Sequence, residues 1–159
     1  MCRKPKHKMD RIDYKILKVL QEDASLSISD IATHVGLSQT PCWKRIQRLE
    51  KNGVISKRVA ILNPESLGFG LTVYVAIILG EHSDVWLSKF TEEIVKFPEV
   101  VEFYRMAGEV DYMLRVVVPE IKVFDSFYKQ LITIVPMKKV SSHFAMERIK
   151  YTTELPLNV

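Results

Sequence analysis

The chain has 159 residues, 23 Lys plus Arg against 19 Asp plus Glu, a net charge of +4, and two cysteines, Cys2 and Cys42. That length allows one domain or two small ones, and two cysteines make no disulfide framework. No apolar run reaches the ~18 to 20 residues that cross a bilayer, and the basic first residues lead into no apolar secretory core, so a soluble cytoplasmic protein without membrane contact is expected.

The charge is unevenly placed. Residues 1–62 hold 13 basic and 6 acidic side chains, a net of +7, and residues 63–159 hold 10 and 13, a net of −3. The split favours two domains, the first with a polyanion as its partner. Residues 1–9, MCRKPKHKM, carry Arg3, Lys4, Lys6 and Lys8 around Pro5 and bury little; they read as a tail that is solvated or brushes phosphates. From Asp10 the period is helical, with Ile12, Ile16, Val19 and Leu20 on one face and Asp10 with Asp13 as a capping pair. A second helix opens on the S-x-x-D signature Ser27 to Asp30, turns Ile28, Ile31, Ala32 and Val35 inward, and stops at Gly36. Ala32 is the small residue that lets a neighbouring helix approach.

The third helix starts at about Gln39, with Ser38 or Thr40 as N-cap and Pro41 in the first turn, where N–H groups have no helical partner. Cys42, Ile46 and Leu49 recur at i, i+4 and i+7, which sets the buried face. Gln39, Thr40, Trp43, Lys44, Gln47 and Lys51 fall on the other side, which carries no acid. Asn52-Gly53 supplies the left-handed residue that ends a helix. Two short helices joined by a Gly-containing turn, the second basic, behind a helix that completes the core, make a helix-turn-helix. Amide and cationic side chains on the outer face suit base edges in a major groove. Trp43 either packs on sugar or a thymine methyl or folds back over the first helix. Arg45, Arg48, Lys51, Lys57 and Arg58 are expected as phosphate contacts, or as pairs with Glu50 and its neighbours, rather than as base readers. Buried Cys42 is expected to act as a small apolar residue.

Val54 to Leu62, VISKRVAIL, is rich in branched residues and predicts a strand. Asn63 to Gly70, with Pro64, Gly68 and Gly70, is a turn-rich connector and the expected domain boundary. Beyond it come a strand from Leu71 to Glu81, a helix from Asp84 to Phe97 stopped by Pro98, strands from Val100 to Ala107 and Tyr112 to Val118 around the loop Gly108-Glu109-Val110-Asp111, a helix from Pro119 to Val135, and a last strand from Lys139 to Met146. The order βαββαβ predicts a ferredoxin-like module with helices on one sheet face, and the other face invites a second copy. The class is therefore α+β: a winged-helix-like helix-turn-helix domain over 1–62, a linker over 63–70 and a ferredoxin-like domain over 71–159.

The run SQTPCWKRIQRLEKNGVI, followed by a βαββαβ module whose hairpin reads MAGEVDYMLRV, resembles the Lrp/AsnC (feast/famine) transcription regulators over essentially the full chain. The resemblance implies sequence-specific binding to double-stranded promoter DNA, a homodimer or an assembly of dimers, and a small amino acid as effector. It places that effector where dimers meet, near the G-x-x-D loop, here with Met106, Gly108, Glu109 and Asp111, and Ser142 of the last strand as a further contact. Asp111 would hold the ammonium group, and backbone N–H groups at Gly108 the carboxylate. On the residues alone, Asp111 caps a turn and Gly108 adopts a positive φ. The likeness points to sulfur-containing or branched-chain amino acids.

His7, His34, His82 and His143 show no ligand spacing, so neither a metal nor another cofactor is expected. There is no phosphate loop or nucleophile elbow, and an enzyme is not expected. Two competing readings are a small ferredoxin-like dimeric enzyme, for which a basic helix-turn-helix has no use, and an architectural protein that coats DNA with little sequence preference.

Overall fold

The computed structural model describes residues 8–80 and 83–158. The basic run from Arg3 to Lys6, with Cys2, His7 and His82, lies outside the described residues. The chain divides into two compact units: the described residues up to Ile61 together with those from Lys150 onward, and Leu62–Ile149.

Three helices build the first unit: α1 (Arg11–Glu22), α2 (Ile28–Val35) and α3 (Gln39–Lys51). Each begins where the sequence offers a stop to the preceding coil. Asp10 caps α1, accepting from the N–H groups of Ile12 and Asp13, while the Asp13 side chain accepts from the Asp10 N–H, a reciprocal box. Ser27 caps α2 by accepting from the Asp30 N–H. Ser38 occupies the cap position of α3 but makes no side-chain capping bond. Gly36 ends α2 with φ +72°, and Gly53 follows α3 with φ +71°; the Val54 N–H reaches back to the Leu49 carbonyl at 2.9 Å, closing the helix end. The core joins Ile16 and Leu17 of α1, Ile31, Ala32 and Val35 of α2, and Cys42, Ile46 and Leu49 of α3.

The strand expected over Val54 to Leu62 does not form. From Ser56 to Asn63 the chain has no regular hydrogen-bonded structure, and Val59, Ile61 and Leu62 are exposed. Branched residues favour an extended backbone, but a strand also needs an edge to bond to, and none of the described residues supplies one. A 3₁₀ turn at Glu65–Leu67, held by the Asn63 side chain, follows in the expected connector.

A second difference concerns the chain's last residues. They do not pack with the βαββαβ module but lie in the first unit, where Leu157 packs on the three-helix core. There Gln21 and Leu155 exchange two hydrogen bonds, Leu155 N–H to Gln21 Oε1 at 2.8 Å and Gln21 Nε2 to the Leu155 carbonyl at 3.2 Å.

The second unit carries β1 (Leu71–Leu79), α4 (Asp84–Ile94), β2 (Val100–Arg105), β3 (Tyr112–Val118), α5 (Ile121–Ile134) and β4 (Met137–Phe144). The sheet is antiparallel in the order β2-β3-β1-β4, the ferredoxin-like order expected. Alternation decides its faces. Val73, Val75, Ile77 and Leu79 of β1 and Leu114, Val116 and Val118 of β3 turn toward α4 and α5, meeting Phe90, Ile94, Phe124, Phe127 and Leu131. Aromatic pairs lock the two helices to the sheet, Phe90 with Phe103 at 5.9 Å and Phe124 with Phe144 at 5.4 Å, both edge to face. Neither α4 nor α5 covers the opposite face. That face presents Tyr74 of β1 at 42% exposure and Tyr104 of β2 at 52%, with Arg115 of the intervening β3 paired to Glu102 at 2.7 Å.

Candidate nucleic-acid interface and effector loop

On α3 the buried stripe is Cys42, Ile46 and Leu49, and the rest of the geometry follows from it. Gln39, Thr40, Trp43, Lys44, Gln47 and Lys51 are all exposed, as is Lys57 in the segment beyond. Trp43 is 49% exposed, on the outer side of the helix. Gln47 leans along the helix, its Nε2 donating to Glu50 Oε2 at 3.1 Å, and Glu50 is in turn paired with Arg58 at 2.8 Å.

Arg45 and Arg48 are placed differently. Both are half-buried and turned toward α1. Arg45 Nη1 reaches Asp10 Oδ2 at 2.7 Å and Asp13 Oδ1 at 2.8 Å, and Arg48 Nη2 lies 2.7 Å from both oxygens of Asp13. Of the two roles expected from sequence, pairing is the one seen, but the partners are the acids of α1 and not Glu50. Asp13 is the buried charged side chain of the described residues, with 0% exposure. Its charge is tolerable because two guanidinium groups and the Asp10 N–H occupy its oxygens. The Asp13 N–H first, and the Arg45 guanidinium second, hold the Asp10 carboxyl below its ordinary 3.8. The hydrogen bonds from Arg45 to the two acids raise the guanidinium still further from neutrality. Burial pushes the Cys42 thiol up from its ordinary 9.0, against the smaller opposing pull of Arg45, so the thiolate a redox switch would need is disfavoured.

The second candidate is the loop joining β2 to β3. Gly108 has φ +132°, a conformation open to glycine and strained for other residues. Met106, Gly108 and Glu109 are exposed, and Asp111 is partly buried. The loop is closed by Met106 N–H to the Asp111 carbonyl at 2.8 Å and tied to β1 by Asp111 N–H to the Ile77 carbonyl at 2.9 Å. The Asp111 carboxylate accepts from the Leu79 N–H at 2.8 Å. Leu79 in turn lines a cavity of about 230 Å³ with Gly80, Trp86, Val135 and Pro136. That volume falls below the roughly 300 Å³ at which drug-sized pockets begin and suits a molecule of amino-acid size. Sequence reasoning missed these lining residues, because Gly80 and Pro136 carry no chemical signature. Ser142 lies elsewhere: on β4 opposite Val75, it lines a separate groove of about 280 Å³ with Ile121, Phe124, Asp125, Tyr128 and Val140.

Among the described residues no group of three or more His, Cys, Asp or Glu is placed to hold a metal, and no helix is long and apolar enough to cross a membrane.

Comparison with known proteins bears on both candidates. Residues 9–56 match the model of a winged helix-turn-helix DNA-binding domain, and residues 72–155 match that of the Lrp/AsnC ligand binding domain. The DNA-binding transcriptional activator DecR of Escherichia coli K12 is 49% identical over 150 residues, covering 94% of this chain and 99% of DecR. A crystal structure of an AsnC family transcriptional regulator from Agrobacterium tumefaciens superposes with a TM-score of 0.89 at 57% identity, covering 93% of this chain and 97% of the other. A Neisseria meningitidis transcriptional regulator solved in complex with L-methionine superposes at 0.91 with 33% identity, covering 95% and 98%.

Proposed function

The chain belongs to the Lrp/AsnC family of DNA-binding transcriptional regulators, and from that premise we propose how its parts divide the work. The outer face of α3, with Gln39, Thr40, Trp43, Lys44, Gln47 and Lys51, enters the major groove and reads base edges, and Lys57 contacts phosphate. The observation that carries this reading is the composition of that face: every exposed side chain on it is polar, basic or aromatic, and Glu50, the helix's acid, is half-buried and paired with Arg58. Arg45 and Arg48, which sequence grouped with the DNA contacts, serve the scaffold instead.

A small amino acid is the effector, bound at the loop carrying Met106, Gly108, Glu109 and Asp111 and the adjoining cavity at Leu79 and Gly80. Support comes from the L-methionine held by the Neisseria neighbour and from the size of the cavity. Sulfur-containing and branched-chain amino acids are the candidate ligands. Ser142, the further contact expected on the last strand, lines the groove beside α5. Two copies pair through the sheet face that α4 and α5 leave open, which carries Tyr74 and Tyr104, and dimers assemble further. The protein works on promoter DNA in the cytoplasm, as a regulator and not as an enzyme.

The deciding experiment is footprinting on promoter DNA with and without each of the twenty amino acids, alongside a thermal-shift screen. A discrete protected site that changes with one class of amino acid supports the whole reading. Uniform protection without sequence preference would point to an architectural role.

A further inference from the structure

The reading helix carries two arginines that the DNA-contacting face does not use. Arg45 sits between Lys44 and Gln47 in sequence, and its side chain is 25% exposed; that of Arg48 is 35% exposed. A guanidinium on a long stem is a strong ligand for phosphate of any sequence. Two of them on the flank of this helix would add affinity without adding discrimination. Both are instead turned to α1 by Asp13, which is buried, and Arg45 also by Asp10, whose side chain is 53% exposed. The apolar core of Ile16, Leu17, Ile46 and Leu49 already joins α1 to α3, so the exposed half of this ion pair is not required for packing.

We propose that Asp10 and Asp13 are specificity-determining positioning residues: they hold Arg45 and Arg48 off the DNA backbone, so that Lys44, Lys51 and the amides of α3 meet the duplex without two sequence-blind cations. The proposal rests on the chain's being a DNA-binding regulator, but not on which side chains read the bases.

The test uses the full chain and a duplex of random sequence, with affinity followed through a salt series. Asp10→Asn is the informative variant, since asparagine caps a helix as well as aspartate does while losing the outer of the two carboxylates that hold Arg45, so that only Asp13 still competes with a phosphate for its guanidinium. Binding to random duplex is expected to tighten roughly five- to tenfold at about 0.1 M salt, with a slope steeper by about 0.9, as for one new phosphate contact. Arg45→Gln alone is expected to change neither quantity. In Asp10→Asn/Arg45→Gln the gain is expected to vanish. A purely structural role for Asp10 would weaken binding together with the melting temperature and would not steepen the slope.

That outcome would overturn the proposal, and so would two others. One is a flatter slope for Arg45→Gln alone, which would mean that Arg45 already touches phosphate. The other is an Asp10→Asn gain that persists in the double variant, which would make it a general charge effect. Lys44→Ala measured on random and operator duplex at one salt concentration separates this from the placement of the reading face: unchanged operator preference there would move the face and leave the Asp10–Arg45 comparison standing.

Discussion

The carboxylate of Asp111 accepts a hydrogen bond from the backbone N–H of Leu79 at 2.8 Å, joining the β2–β3 loop to the end of β1. An effector that engages this carboxylate therefore pulls on a group that already shapes the loop and one wall of the Leu79–Gly80 cavity. In the proposed site, binding and loop geometry would be coupled through this side chain. Asp111→Ala is accordingly expected to cost about 1.5 to 3 kcal/mol of stability in the second unit, as for a lost charged hydrogen bond, and also to abolish the response to the effector. Urea unfolding and calorimetry with L-methionine measure the two losses separately. Undiminished ligand binding by a correctly folded Asp111→Ala would move the site away from the loop.

Lys44→Ala and Gln47→Ala are each expected to lower discrimination between operator and random duplex by about 1 to 3 kcal/mol, as for a lost base contact. Gln47 also donates to Glu50, which keeps its ion pair with Arg58 in the variant. Lys57→Ala should weaken binding to both duplexes alike and flatten the salt slope by about one unit. Gel shifts at several salt concentrations distinguish the three.

Asp13→Ala leaves two half-buried guanidinium groups without their central partner and removes part of the α1 capping box. A loss of about 3 kcal/mol from the first unit is expected, visible as an earlier helical melt. Acid acts on the same cluster through Asp10. Its folded-state pKa lies below its ordinary 3.8, so its contribution is complete above that ordinary value and is lost as pH falls through the lower folded one. The first unit's stability should therefore decline below about pH 4, and less so in Asp10→Asn, as read by circular dichroism against pH.

A fragment spanning 62–149 contains the whole of the second unit's core and is expected to fold and to associate through its open sheet face. A fragment ending at residue 62 lacks Leu157 and the Gln21–Leu155 hydrogen bonds and should melt below the corresponding unit of the full chain. Thermal melts and light scattering check both expectations. A monomeric 62–149 fragment, at concentrations where the full chain is dimeric, would count against pairing through the sheet.

Much of this was legible in the chain because it is local. Asp10 with Asp13, Ser27 with Asp30, the glycines at 36 and 53, and the spacing of Cys42, Ile46 and Leu49 each fix a helix end or face from residues within one or two turns. What stayed hidden depends on distant parts of the sequence. Arg48 finds Asp13 across 35 positions and Leu155 finds Gln21 across 134, and no periodicity encodes such pairs. Asp111 is intermediate: its place in a turn was readable, but its bond to Leu79, 32 positions away, was not. The strand expected over Val54 to Leu62 erred in another way. Its branched side chains describe a backbone preference, whereas a strand is a relation between two segments, and the second is missing among the described residues.

The attachment of the residues beyond Lys150 to the three-helix unit also bears on how the protein is made. The chain leaves that unit at Ile61 and returns to it at Lys150, so the second unit is, topologically, an insertion within the first. During synthesis from the N-terminus the three helices emerge early, yet the segment with Leu155 and Leu157 follows only after all of the inserted unit has been translated. The DNA-binding unit thus begins to form before the inserted unit and is completed after it. A nascent chain stalled within the inserted unit would carry the three helices without the packing of Leu157 and the Gln21–Leu155 hydrogen bonds.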